Sequence, residues 1–242
     1  MVNNKDIQTK FKVVIPIDWD NNKKGTFWEK TVADLFRQQR LEISPRIRFT
    51  GSEIDVLAKN KETNERAFIE CKFYEKDTIS AEVIDKLLGK AYRNNIKKVY
   101  LACTTEFGKE AKGVIEEEQQ KYQNANYDGI RAEFWGPEKL AQVFMDIKSI
   151  KLPDWNKYNI GKVNTATLLV TSSQTLWVVE EIGEEAIPIR AIVFPTKEDQ
   201  EITNLEELKS NFKNNGFLSG LPIIDSKTIQ KKSLKIPTVG SF

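Results

Sequence analysis

Apolar residues recur along this chain with two periods, and the switches between them mark out its elements. Residues 11–17, Phe-Lys-Val-Val-Ile-Pro-Ile, read as a short strand that runs into the polar Asp18-Trp19-Asp20-Asn21-Asn22. Over 26–40, Trp28, Val32, Leu35 and Phe36 recur at helical spacing. Residues 43–49, 53–59 and 65–74 have strand character, with breaks at Gly51 and at Asn60-Lys61-Glu62-Thr63-Asn64. Helical spacing returns over 80–94, with Val83, Leu87, Leu88 and Ala91 inward. Val-Tyr-Leu-Ala-Cys within 97–104 has the signature of a buried strand. A helix over 106–122 turns Ala111, Val114 and Ile115 inward and Glu116-Glu117-Glu118 outward. A short strand at 131–135 follows, then a helix at 137–147 with Pro137 in its first turn.

The order helix, three strands, helix, strand, helix, strand, helix predicts an α/β sandwich with a mixed central sheet, its antiparallel part first. Composition shifts over 149–164, where Pro153, Gly161 and polar residues gather, so a first domain is expected over 1–150. Beyond it, strands are expected at 166–171, 175–182 and 187–194. A helix at 204–213 would be capped by Asn204 with Glu207 three residues on. These elements form a smaller α+β region over 164–225. Residues 226–242 read as a basic, apolar-poor and loosely ordered tail.

Composition narrows the chemistry. The chain has no histidine, which excludes Ser-His-Asp and Cys-His catalysis and histidine-based zinc sites. Its two cysteines, Cys71 and Cys103, form no Cys-x-x-Cys pair, which argues against a disulfide scaffold or a cysteine zinc site. Hydrolytic chemistry must then come from carboxylates, lysine and a hard cation. The net charge of +2 leaves nucleic acid neither favoured nor disfavoured as a partner. No phosphate-loop motif is present. No apolar run nears the roughly 20 residues of a membrane span, and the polar start has no signal-peptide segment, so a cytoplasmic location is expected.

One constellation stands out: Gly51-Ser52-Glu53-Ile54-Asp55-Val56, then Phe68-Ile69-Glu70-Cys71-Lys72. A hairpin with Glu62-Thr63 at its tip carries the register back to Asp55 opposite Glu70, with Cβ atoms roughly 4.5–5.5 Å apart. A one-residue slip would turn one strand's set to the other face, and Asn64 could support a longer turn. Lys72 follows Glu70 by two and shares its face, while Cys71 turns to the opposite face and the core. Two close carboxylates repel unless a cation lies between them. Mg²⁺ suits them, and a lysine beside them can orient an attacking water or stabilise developing charge.

These motifs resemble the PD-(D/E)xK nuclease superfamily, most closely its Mrr-like restriction endonuclease branch. Gly25-Thr26-Phe27-Trp28-Glu29 resembles that branch's first-helix motif, in which a glutamate reaches the metal site. Thr105-Glu106-Phe107-Gly108-Lys109-Glu110-Ala111 resembles its strand-to-helix turn. The resemblance covers residues 25–147. The superfamily's proline is absent before Asp55, where Ile54 stands. It implies a restriction-endonuclease-like αβββαβ core flanked by helices, and Mg²⁺-dependent cleavage of DNA, with Mn²⁺ an acceptable substitute. It assigns Asp55 and Glu70 to the metal, Lys72 to the attacking water and Glu29 to a supporting place.

Glu29 has a second reading, as the third residue of a capping box begun by Thr26. Glu53 shares the face of Asp55 and reads as solvent-facing or supporting. Lys23, Lys24, Arg46, Arg48, Lys86, Lys90 and Arg93 are the basic residues nearest the face, and Trp135, Trp155 and Trp177 read as core. Cutting both strands of duplex DNA needs two sites. The expected partners are therefore double-stranded DNA and a second copy of the chain, in a homodimer or larger homo-oligomer, or else a larger defence assembly whose cutting arm this is. The expected role is defence against foreign DNA. A repair or junction nuclease, and a catalytically silent DNA-binding or assembly module, are the rival readings.

Overall fold

The computed structural model describes residues 7–49, 52–123, 127–197 and 200–229. Gly51 and residues 230–242 of the expected tail lie outside the described residues. The chain divides into two compact units, Phe11–Ile150 and a second made of Met1–Lys10 with Lys151–Phe242. Strand β1 (Gln8–Val14) runs from the second into the first.

In the first unit, α1 (Asn21–Gln38) is followed by β2 (Leu41–Phe49), β3 (Ser52–Asn60) and β4 (Arg66–Lys72). Then come α2 (Ala81–Arg93), β5 (Lys98–Cys103), α3 (Lys109–Lys121), β6 (Arg131–Trp135) and α4 (Pro137–Lys148). The sheet order is β2-β3-β4-β5-β6. The β2/β3 and β3/β4 pairs are antiparallel, and β4/β5 and β5/β6 are parallel. This mixed sheet with flanking helices is the expected restriction-endonuclease-like architecture. On one side, Phe68, Val99, Leu101 and Cys103 pack with Ile84, Leu87 and Ala91 of α2 and Ala111 of α3. On the other, Trp28, Val32, Leu35 and Phe36 of α1 are buried, and Phe36 stacks on Trp135 with ring centroids 5.1 Å apart.

Some elements depart from the sequence pattern. Helix α1 begins at Asn21, not at residue 26: the Asp20 carboxylate accepts the Lys23 amide at 2.7 Å and starts the helix one turn early. Asn21, Asn22 and Gly25 are poor helix formers, so the pattern hid this turn. Thr26 is therefore mid-helix, and the capping box with Glu29 does not form. In α2, Ile84 is buried, while Val83 and Leu88 are only partly so. In α3, Glu118 is buried and paired with Lys121, where an outward glutamate was expected.

A second sheet is ordered β1-β7-β8-β9-β10, with β7 to β10 in the second unit. Strands β7 (Lys162–Thr171), β8 (Thr175–Ile182) and β9 (Pro188–Pro195) form an antiparallel meander. Helix α5 (Leu205–Asn214) follows, and β10 (Ile223–Asp225) pairs parallel with β9. Asn204 precedes α5 with left-handed φ of 52° and makes no side-chain cap; its amide instead donates to the Glu207 carboxylate at 3.3 Å. Residues 226–228 form a 3-10 turn in which Ser226 is buried. Trp155 and Trp177 are buried in this unit and Trp135 in the first. No described helix is long and apolar enough to cross a membrane.

Candidate active site

The site is built on the β3–β4 hairpin. Its ladder pairs Lys59 with Arg66, Ala58 with Ala67, Leu57 with Phe68 and Val56 with Ile69. The Asn60 amide donates to the Glu65 carbonyl at 2.9 Å, leaving a loop of 61–64. The Asn60 side chain closes that loop by accepting the Glu62 and Thr63 amides at 2.8 and 3.1 Å, and Asn64 takes a φ of 58°. The loop is thus longer than a two-residue tip, yet it preserves the register that sets Asp55 across from Glu70.

At Val56–Ile69 the ladder stops. One step further, the Cys71 amide donates to the Asp55 carboxylate at 2.7 Å. A side chain has taken over from the backbone as the hydrogen-bond partner, and Asp55 is tied to the strand that carries Glu70. Ile54 and Val56 on either side of it are fully buried, which anchors the backbone there.

Glu70 is only 6% exposed, on a strand whose preceding residues, Ala67, Phe68 and Ile69, are all buried. Such a charge needs partners, and it has two. The Lys72 ammonium donates to Oε1 at 2.7 Å, and the Lys90 ammonium to Oε2 at 3.1 Å. Lys90 comes from α2, and also donates to the Glu53 carbonyl at 2.9 Å.

The electrostatics follow from this crowding. Burial, and next the charge of Glu70, push the Asp55 carboxyl up to about 6, against the pull of the Cys71 amide and Lys72. For Lys72, burial acts to lower the ammonium's pKa, but the charge and hydrogen bond of Glu70, with Asp55 behind them, outweigh it and leave it raised. Lys72 therefore stays protonated at neutral pH. The Cys71 thiol is buried and pushed well above its usual range, as expected of a core cysteine.

Glu29 stands at the margin. Its carboxylate accepts Arg46 Nε at 2.8 Å, and Arg46 also reaches the Thr26 hydroxyl. Glu29 is near enough for its charge to act on Asp55, but its hydrogen bonds go to Arg46. Arg46 has a positive φ of 44° and interrupts the β2/β3 ladder between the pairs Pro45–Val56 and Ile47–Ile54. Buried Trp28 fixes α1 against the sheet by donating its indole N–H to the Ala102 carbonyl at 3.0 Å. The other basic residues disperse: Lys24 is buried and bonded to Glu75 at 2.8 Å, Lys86 pairs with Glu82, and Arg48 sits 3.5 Å from the exposed Glu53 carboxylate. Lys23 lies over the Trp19 ring. Lys90 is the one whose place the sequence left open and the structure fills. Its only signal was a lysine three residues after Leu87 and next to Ala91, at the edge of an inward stripe.

Residues 25–133 match the family model of the Mrr type described as restriction endonuclease. Over this segment the chain is similar to an Mrr-like restriction endonuclease domain. The match contains the whole hairpin, Glu29 and Lys90. No curated protein matches the chain. Among solved structures, the crystal structure of a protein of unknown function, AF1548, aligns with 21% identity over 57% of this chain and 72% of that one, with a TM-score of 0.40. That likeness is too slight to bear on function.

The first unit offers a donor set of one kind. Among the described residues, no group of three or more histidine, cysteine, aspartate or glutamate side chains is gathered as a metal cage. Asp55 and Glu70 offer two hard carboxylate oxygens, a set that would suit a cation that keeps several waters and accepts phosphate oxygens, as Mg²⁺ does. The Asp55 carboxyl is raised by its burial first and by the nearby charge of Glu70 second. A divalent cation would relieve that repulsion.

Proposed function

We propose that this protein is a Mg²⁺-dependent DNA endonuclease that hydrolyses phosphodiester bonds, with Asp55 and Glu70 as metal ligands and Lys72 as the lysine beside the scissile phosphate. The observation that carries this reading is the shared face of the three groups: Glu70 hydrogen-bonded to Lys72, and Asp55 close enough to feel the charge of both. When bound, the cation supplies a water of lowered pKa and neutralises phosphate charge. The protein's own part is orientation. The Cys71 amide fixes one oxygen of Asp55, and Lys72 fixes one oxygen of Glu70. Lys72 keeps further N–H donors for the attacking water or for charge developing on phosphate oxygen.

Glu29 supports the site from its place on Arg46, adding negative charge near Asp55. Duplex cleavage calls for two such sites, so the working form is a homodimer or larger assembly, in the cytoplasm, acting against foreign DNA as a restriction or antiphage effector. The test is incubation with supercoiled plasmid in Mg²⁺, in Mn²⁺ and in EDTA, for wild type beside Asp55→Ala and Lys72→Ala. Cutting is expected with either metal, none with EDTA and none by either variant. Undiminished cutting in EDTA, or by Asp55→Ala, would remove the reading.

A further inference from the structure

We infer that Lys90 is a positioning residue that competes with the divalent cation for Glu70 and exchanges that carboxylate for the DNA backbone when the site is loaded. The inference rests on the metal-dependent reading above and adds a residue to it. Both oxygens of the Glu70 carboxylate are taken by ammonium groups, Lys72 on Oε1 and Lys90 on Oε2. The two lysines differ in how they reach it. Lys72 lies two residues along the same strand and belongs to the hairpin. Lys90 reaches in from another element and has a second anchor, the Glu53 carbonyl at 2.9 Å, shorter than its 3.1 Å bond to Glu70.

Lys90 is therefore built to release Glu70 without being set adrift. An ammonium hydrogen-bonded to Oε2 takes up one of the lone pairs open to a cation, and its charge repels a cation held by the same carboxylate. Once it lets go, the same ammonium stands over the start of β3 in an open groove of mixed charge, lined also by Glu53, Glu82, Asp85, Lys86 and Arg93. A phosphate oxygen can approach it there. The charge near Glu70 is thus exchanged rather than lost: an ammonium while no cation is bound, a cation afterwards, with Lys90 passed on to the anionic substrate.

The test measures Mn²⁺ binding by calorimetry, without DNA, for wild type, Lys90→Gln and Lys90→Arg. Competition predicts that Lys90→Gln binds Mn²⁺ about two- to fivefold tighter, the range expected for removing one partly exposed ion pair. Lys90→Arg, which keeps the charge, should stay close to wild type. DNA binding, measured with Ca²⁺ in place of Mg²⁺ across a salt series, should weaken in Lys90→Gln, with the slope against log salt shallower by about one phosphate contact. Thermal melting confirms that each variant is folded. A residue that merely braced Glu70 would give weaker Mn²⁺ binding in Lys90→Gln, and that result, like unchanged affinity, overturns the role of Lys90 while the metal site stands. No saturable Mn²⁺ binding by wild type or variant would overturn both.

Discussion

Each unit of this protein buries a glutamate on a strand, and the two are treated differently. In the second unit, Glu181 of β8 is 7% exposed. One of its oxygens accepts Arg190 Nε from the neighbouring strand, and the other accepts the Gly161 amide at 2.7 Å. One cation and one amide close the account of one carboxylate. In the first unit, Glu70 draws two ammonium groups while Asp55 beside it has an amide and no ammonium bonded to it, and its carboxyl is pushed up to about 6. The first arrangement is complete. The second holds positive charge that can be moved and a carboxylate that lacks it. Burial is common to both glutamates; what differs is the charge gathered around them.

The sharpest way to break this contrast is to remove charge on each side. Asp55→Ala and Lys72→Ala are expected to lower plasmid cleavage by about 10³-fold or more, as losses of transition-state stabilisation do, with the far-ultraviolet circular dichroism spectrum retained. Glu181→Ala should leave cleavage per folded molecule unchanged and instead cost about 1–3 kcal/mol of stability in urea unfolding, because it strands Arg190 and the Gly161 amide. If Glu181→Ala abolished cutting in a folded protein, the contrast would be lost.

Titration sharpens it further. In the metal-free protein Asp55 keeps its proton up to about pH 6, whereas an unfolded aspartate gives it up near 3.9. Between those values the folded state binds more protons, so its stability should fall as pH rises from about 4 to 6, by on the order of 1–3 kcal/mol. Asp55→Asn should flatten that fall, and added Mg²⁺ should oppose it. Urea midpoints at successive pH values read this directly. The smallest effect is expected at Arg46, whose guanidinium is half exposed on Glu29: Arg46→Ala should change stability by less than about 1 kcal/mol. A larger change in unfolding midpoint would make that pair part of the fold rather than of the site's margin.

The hairpin register was legible because it depends on local features: two strands of apolar alternation and a polar turn whose asparagines can close it. The common face of Asp55, Glu70 and Lys72 followed from that register, and their choice as site residues came from the motif resemblance. Lys90 did not, since it lies twenty residues beyond Glu70 on another element, and spacing within a helix does not say which strand edge it will meet. Likewise the start of α1 was hidden by residues that disfavour helix, because the Asp20 cap that overrides them is one side chain among several polar ones. The three-residue strand β10 and the buried Glu118 had no periodic signature to read.

The loop at 61–64 offers a practical opening. Its residues are exposed, and the chain is pinned just before it by the Asn60 side chain and the Asn60–Glu65 bond. Extra chain grafted after Thr63 costs little closure entropy and leaves the Asn60 bonds to Glu62 and Thr63 in place. A fluorescent handle inserted there would therefore ride on the β3–β4 hairpin without displacing it, and would test whether nucleic acid binds beside it.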